Sequence, residues 1–313
     1  MLELPTTDDI AAAVARLDGH VRRTPVVCPG PGSFGTDPSV DMVMKLESLQ
    51  HAGSFKARGS FNSALASSLP PAGLIAASGG NHGIAVAHVA HALGVTAEIF
   101  VPAISSPVKI DRIRRRGATV QVIEGVYDDA QTACNARQAE TGAFSIHPFD
   151  ATLTLAGQAT MGVELTEQAP ELDTVIVAVG GGGLAAGLVL SLPAHVRIVC
   201  VEPETSQCLH AAIGAGERTL VDVSGVAADS LGARTIGDLA FRALNGRVDS
   251  ILVTDGAILD ARRRLWDELG VVAETGGATA LAALTSGAFT PAPGSAIGVI
   301  VCGANTDPAD LSS

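Results

Sequence analysis

The segment TVIVAVGGGGLAAGLVL, residues 174–190, decides the architecture. Thr174 to Val179 is a β-branched run interrupted only by Ala178, the composition of a strand buried on both faces. Leu184 to Leu190 reads as the opening of an apolar helix. Between them stand Gly180, Gly181, Gly182 and Gly183. Four successive glycines carry a large entropic cost in a folded chain, and an ordinary strand-to-helix turn does not require them all. They allow a sharp turn that presents several backbone N–H groups to one anion, at a helix start whose dipole favours negative charge. The spacing matches neither a nucleoside-triphosphate P-loop nor Gly-x-Gly-x-x-Gly, so neither a P-loop nor a dinucleotide site is indicated.

Outward from this segment the chain alternates strand and helix patterns. Strands are expected at Met42–Leu46, Leu74–Ala77, Ala97–Val101, Thr119–Ile123, Thr174–Val179, Val196–Val201, Ile251–Thr254 and Ile297–Cys302. Helical spacing marks Ile84–Leu93, Asp128–Thr141 and Ile258–Leu269, with Gly94 and Gly270 placed to end the first and last in a left-handed residue. The expectation is an α/β fold with parallel sheets flanked by helices on both faces. One compact run of β-α units covers residues 72–148, and a second set begins after about residue 150.

Three more loops carry chemistry. KLESLQHAGSFKARGS, residues 45–60, places Lys56 after a Gly-Ser pair at a helix mouth. The positive field there favours the neutral amine, the form that condenses with an aldehyde. Ser78-Gly79-Gly80-Asn81-His82-Gly83 follows a strand and opens a helix, so its N–H groups suit a carboxylate and the Asn81 amide suits a phenolate-like oxygen. Cys302-Gly303-Ala304-Asn305 ends the last apolar strand. Taken singly, Lys56 reads first as a surface lysine, His82 as a structural histidine and Cys302 as an inert buried thiol, while Ser78 or Asn81 reads equally as an ordinary N-cap.

Taken together, the four loops resemble the fold-type II pyridoxal-phosphate (PLP) enzymes, specifically the serine/threonine dehydratase and serine racemase branch, from about Arg23 to Asn305. The resemblance implies a two-domain fold of the tryptophan synthase β type. Residues 1–71 and 149–313 would form the large PLP-binding domain and residues 72–148 the small inserted one. It implies that Lys56 is catalytic and holds PLP, and that Phe55, Asn81, Gly180, Gly181, Gly182, Gly183, Leu184 and Cys302 complete the cofactor site. The glycines take the phosphate, Asn81 the ring hydroxyl, and Cys302 the position of a neutral Ser or Thr facing the pyridine nitrogen. Ser78, Gly79, Gly80, Asn81 and His82 would bind the substrate carboxylate. The implied reaction is β-elimination of water and ammonia from a β-hydroxy amino acid such as L-threonine or L-serine. Serine racemisation, hydroxyaspartate dehydration and a non-catalytic scaffold are the alternatives.

Several residues depart from the family pattern. Cys302 is a weaker donor than a hydroxyl. Gly79 stands where racemases carry a serine on the cofactor face opposite the lysine, and no residue near it in sequence replaces that hydroxyl. Glu202-Pro-Glu-Thr-Ser-Gln-Cys208 puts a soft thiol where racemase-like members place a metal-binding Asp, so no divalent metal is expected. Ala228-Asp229-Ser230 replaces the usual Ala-Asp/Glu-Gly.

Bulk properties narrow the partners. A net charge of −12 argues against a nucleic-acid partner. The basic runs at 112–116 and 262–264 are read as solvated helix faces. No apolar run is long enough to span a membrane, and the acidic N-terminus lacks a leader pattern. The five cysteines show no Cys-x-x-Cys spacing and are read as free thiols. A cytoplasmic enzyme of a small amino acid is expected, with a homodimer implied by the resemblance. Eight residues follow Asn305, so no C-terminal regulatory domain is expected.

Overall fold

The computed structural model describes residues 3–311. Its strands are β1 Val26–Val27, β2 Asp41–Lys45, β3 Leu74–Ala77, β4 Ala97–Pro102, β5 Thr119–Ile123, β6 Phe144–Ser145, β7 Thr174–Ala178, β8 Arg197–Pro203, β9 Asp249–Val253 and β10 Ala296–Ile300. They form a six-stranded sheet in the order β1-β2-β10-β7-β8-β9 and a four-stranded sheet in the order β5-β4-β3-β6. Every pairing is parallel except β1 with β2, a short antiparallel edge. Strands β3 and β5 have the bounds read from the sequence, and the ends of the other expected strands shift by one or two residues. The two-residue strands β1 and β6 carry no periodic signal and were not expected.

Every residue of β7 is buried, as its unbroken β-branched run predicts. Gly94 and Gly270 end their helices at φ 68° and 64°, the left-handed caps expected. The abundance of Ala and Gly shows its purpose where helices cross. A Cβ on Gly157 would lie 2.7 Å from the Cα of Gly59. This lets helix Lys56–Leu65 seat directly on helix Thr152–Gln168.

Two readings from the basic runs need correction. Arg262 is buried, donating to the Ala273 carbonyl at 3.1 Å and to Thr306 Oγ1 at 3.1 Å. Arg112 is half-buried and donates to Asn305 Oδ1 at 2.6 Å and the Thr306 carbonyl at 3.1 Å. Both guanidiniums help to tie down the segment after β10. All five cysteines are free; Cys28 is exposed and the other four are buried.

Candidate active site

Lys56 and Cys302 lie 246 positions apart in the chain and meet because β2 pairs with β10. The pairing continues past both strand ends. Val301 N–H donates to the Lys45 carbonyl at 3.0 Å, Ser48 N–H to Val301 at 2.8 Å, and Phe55 N–H to Cys302 at 3.1 Å. Between these bonds the chain makes a tight turn in which Ala52 (φ 62°) and Gly53 (φ 73°) are both left-handed. A non-glycine residue held there stores strain. Asn305 Nδ2 secures it with a 2.8 Å bond to the Ala52 carbonyl. The turn releases the chain into helix Lys56–Leu65, whose first residue is Lys56.

A cavity opens at this point. Phe55, Lys56, Asn81, Phe149, the four glycines, Leu184, Ser230, Glu274 and Cys302 all border it. Lys56 Nζ donates to the Pro148 carbonyl at 2.7 Å and lies 5.1 Å from the Phe55 ring centroid. Burial pulls its amine down to about 8. Burial pushes the Cys302 thiol up to about 12, with the Glu274 carboxylate adding to the effect, so Cys302 is neutral; its Sγ donates to the Gly276 carbonyl at 3.4 Å.

The tetraglycine turn joins β7 to helix Gly183–Ser191 and has no side-chain cap. Gly182 is left-handed, at φ 86°. A Cβ on Gly181 would sit 2.5 Å from the Phe149 ring, and one on Gly183 would sit 2.8 Å from the Phe149 carbonyl. Backbone therefore comes up against this aromatic residue, and the N–H groups at the helix start keep no partner from a capping side chain.

The Ser78–Gly83 turn follows β3 and opens helix Asn81–Leu93, again without a side-chain cap. Ser78 Oγ accepts the Gly80 N–H at 3.2 Å. Asn81 is clamped at both ends of its amide. Its Oδ1 accepts from Asn305 Nδ2 at 2.7 Å, and its Nδ2 donates to Glu274 Oε1. One amide hydrogen is left for a ligand. His82 is buried and neutral, pulled down to about 3 by burial and by the nearby Lys56. Its Nε2 is committed to the Ile146 carbonyl at 2.8 Å, so the neutral ring has no N–H left for a substrate carboxylate.

Sequence reasoning missed four residues here. Phe149 and Glu274 line the cavity directly. Lys109 is a buried cation 2.7 Å from Asp229 and 3.2 Å from Glu274, and these carboxylates hold its ammonium above the usual range despite burial. Ser105, 26 positions from Gly79 in the chain, meets it in space. A Cβ on Gly79 would lie 1.9 Å from Ser105 Oγ, so that hydroxyl occupies the space of the missing side chain. An isolated Glu in the apolar run 271–284 was the available signal for Glu274.

These features have counterparts in known proteins. A profile of the family described as "Pyridoxal-phosphate dependent enzyme" matches residues 17–303. The chain belongs to this family. It is 37% identical to a phenylserine dehydratase of Ralstonia pickettii, across 99% of this chain and 96% of that protein. Its fold is similar to that of maize serine racemase, with a TM-score of 0.90 and 34% identity, covering 99% of this chain and 96% of the other. A threonine deaminase from T.th. gives a TM-score of 0.88 and 35% identity, covering 97% of this chain and 99% of the other. The α/β fold of parallel sheets flanked by helices, and the PLP cofactor, are those of the family. The cavity fits that cofactor: an amine poised near neutrality, an uncapped glycine turn for a phosphate, and a neutral thiol converge on it.

The Glu202–Cys208 segment does not suit a divalent cation. Glu202 Oε1 and Oε2 accept the N–H groups of Leu209 and His210, each at 2.8 Å, capping helix Cys208–Ala215. Cys208 Sγ donates to the Gly180 carbonyl at 3.2 Å, and burial holds the thiol well above its usual range. A hard cation would have to displace both backbone bonds and ionise that thiol. Chelator treatment is therefore expected to change activity and melting temperature little. A large loss on EDTA, restored by Mg²⁺ or Ca²⁺, would contradict this.

Proposed function

We propose that this chain is a PLP-dependent ammonia-lyase that converts a β-hydroxy amino acid, such as L-serine or L-threonine, to a 2-oxo acid and ammonia. The observation that carries the reading is Lys56. Its amine is drawn down to about 8 inside the cavity that the tetraglycine turn and neutral Cys302 also line. Bound PLP supplies the electron sink for charge at Cα. Lys56 would hold the cofactor through its amine and would serve as the base for the Cα proton.

N–H groups of Gly180, Gly181, Gly182, Gly183 and Leu184 hold the phosphate, with Phe149 packed beneath them and Phe55 alongside. Asn81 gives its remaining amide hydrogen to the ring oxygen, oriented by Glu274 and Asn305. Cys302, neutral, would face the ring nitrogen without forcing its protonation, which would suit rapid loss of a leaving group. The backbone of the Ser78–His82 turn takes the substrate carboxylate. Residues 72–148 serve as a small domain inserted between 1–71 and 149–313, a division supported by the membership of the two sheets. Five free cysteines support a reducing, cytoplasmic setting, and a second copy of the chain is the expected partner.

The names of the relatives support dehydration of threonine or phenylserine, and serine racemase also stands among them. Hydroxyaspartate is disfavoured because Lys109, the buried cation near the site, is already shared by Asp229 and Glu274. Racemisation is disfavoured because Ser105, although close to Gly79, has no base hydrogen-bonded to it among the described residues. An unassisted acid forfeits about 10²–10⁴-fold in rate. A substrate panel read by 2-oxo acid release is expected to show turnover of L-serine or L-threonine. L-serine should give pyruvate with little D-serine by chiral chromatography. Comparable rates for the two products would overturn the dehydratase reading.

A further inference from the structure

Gly79 and Ser105 are a matched pair. Gly79 is not needed for a left-handed backbone, because its φ lies outside that region. It is needed for space: an added Cβ would lie 1.9 Å from Ser105 Oγ and 2.5 Å from Ser105 Cβ. Ser105 can therefore come this close only because residue 79 has no side chain.

The two residues sit on adjacent loops. Gly79 follows β3 and Ser105 follows β4, and these strands are parallel neighbours. Both loops thus lie at the carboxyl edge of the sheet, where open parallel sheets bind ligands. A turn bonded from Ser105 N–H to the Pro102 carbonyl at 2.9 Å presents the residue. Its hydroxyl has no hydrogen-bond partner among the described residues. On the other side of the same turn, the Asp229 carbonyl comes within 3.1 Å of where a Cβ on Gly80 would stand. Asn81, the next residue, borders the cavity. The turn is therefore pinched between two loops, and Ser105 supplies a free O–H donor on one of them.

We propose that Ser105 is a substrate-binding residue whose hydroxyl donates to the carboxylate of the amino acid held by the Ser78–His82 turn. The inference rests on the proposed amino-acid site. It extends that site to a loop outside the turn, with a donor that reaches the carboxylate from the β4 side. Gly79 then serves a specific end: it admits a hydroxyl from a neighbouring loop in place of a side chain of its own.

Glycine, an amino acid with no β-leaving group, is the probe. Its binding to the PLP-loaded enzyme is read from the change in the cofactor's visible absorbance. Ser105→Ala is expected to weaken glycine about tenfold, the loss of one hydrogen bond to a charged group. It should raise KM for L-serine by a similar factor, with kcat and PLP affinity unchanged. The swap Gly79→Ser with Ser105→Gly moves the hydroxyl onto the turn, and is expected to bind glycine within about twofold of wild type. Ser105→Thr, which keeps the hydroxyl, is expected to retain binding if the swap fails to fold.

Unchanged glycine affinity in Ser105→Ala would overturn the proposal. So would a variant that keeps glycine affinity but loses residual D-serine formation, since the hydroxyl would then act at Cα. A wild-type enzyme whose absorbance does not respond to glycine would instead sink the amino-acid site itself.

Discussion

Lys56→Ala is expected to abolish covalent attachment of PLP and to remove turnover. Two functions are lost with one amine. The alanine variant has no nucleophile for the cofactor aldehyde, and no base at the Cα proton, a role worth about 10²–10⁴-fold alone. No other lysine stands ready to substitute. Lys109 is salt-bridged to Asp229 and Glu274, which hold its ammonium above the usual range. Borohydride treatment followed by peptide mass analysis should find the cofactor fixed on Lys56 in wild type and nowhere in the variant. The lowered amine also gives this prediction a pH signature. At pH 8 about half of Lys56 is neutral, against about 0.3% of an ordinary lysine. Attachment of PLP to the cofactor-free protein should therefore accelerate with pH up to about 8 and then level off. A rate still climbing at pH 10 would mean that burial does not tune this amine. Normal β-elimination by Lys56→Ala would refute the assignment outright.

The strand-and-glycine skeleton of the site was legible because it is local. The run 174–179, the four glycines behind it and the Gly-Ser before Lys56 each announce a strand end or a helix start within a few residues. Side chains that cross from distant segments were not legible. Phe149 meets the tetraglycine turn from over thirty positions upstream, and Glu274 reaches Asn81 across 193 positions. Nothing in local spacing announces either contact. Gly181 shows how a motif can hide a second cause: its missing side chain is required by the Phe149 ring, whatever the turn binds. Arg112 and Arg262 show the reverse error, since a basic run on a helix looks solvated until a buried carbonyl claims one member. Ser105 was invisible for the same reason: its importance lies in the space beside Gly79, and that space belongs to another loop.

Arg58→Ala is expected to cost about 3–5 kcal/mol of stability, the loss that follows when one partner of a buried ion pair is removed. Arg58 is fully buried two residues after Lys56. Its Nε and Nη2 donate to Glu47 at 2.9 and 2.7 Å, and its Nη1 and Nη2 to Glu164 at 2.7 and 2.8 Å. Lys45 closes the cluster with a 2.7 Å bond to Glu164. Without Arg58, Glu47 keeps only Thr24 as a neutral hydrogen-bond partner, in a site with no exposure. Urea unfolding at pH 7 measures the loss. Its sign with pH follows from Glu47, whose carboxyl is opposed by burial but held below its usual 4.5 by Arg58. A lowered folded pKa contributes stability that is present above the unfolded value and lost as pH falls through the folded one. The gap between wild type and variant should therefore shrink as pH falls from neutrality through 4.5, because burial, unopposed once Arg58 is gone, raises Glu47 in the variant so that it protonates before the wild-type carboxyl does. Arg58→Lys should recover only part, because an ammonium cannot span two carboxylates as a planar fork does. Arg58→Met with Glu47→Leu should recover more, since it removes the stranded charge along with its partner. The cluster holds the first turn of helix Lys56–Leu65, so the alanine variant should also bind PLP less tightly even where it stays folded. A cost below about 1 kcal/mol at pH 7 would place the pair in a solvated setting and remove the argument that it anchors Lys56.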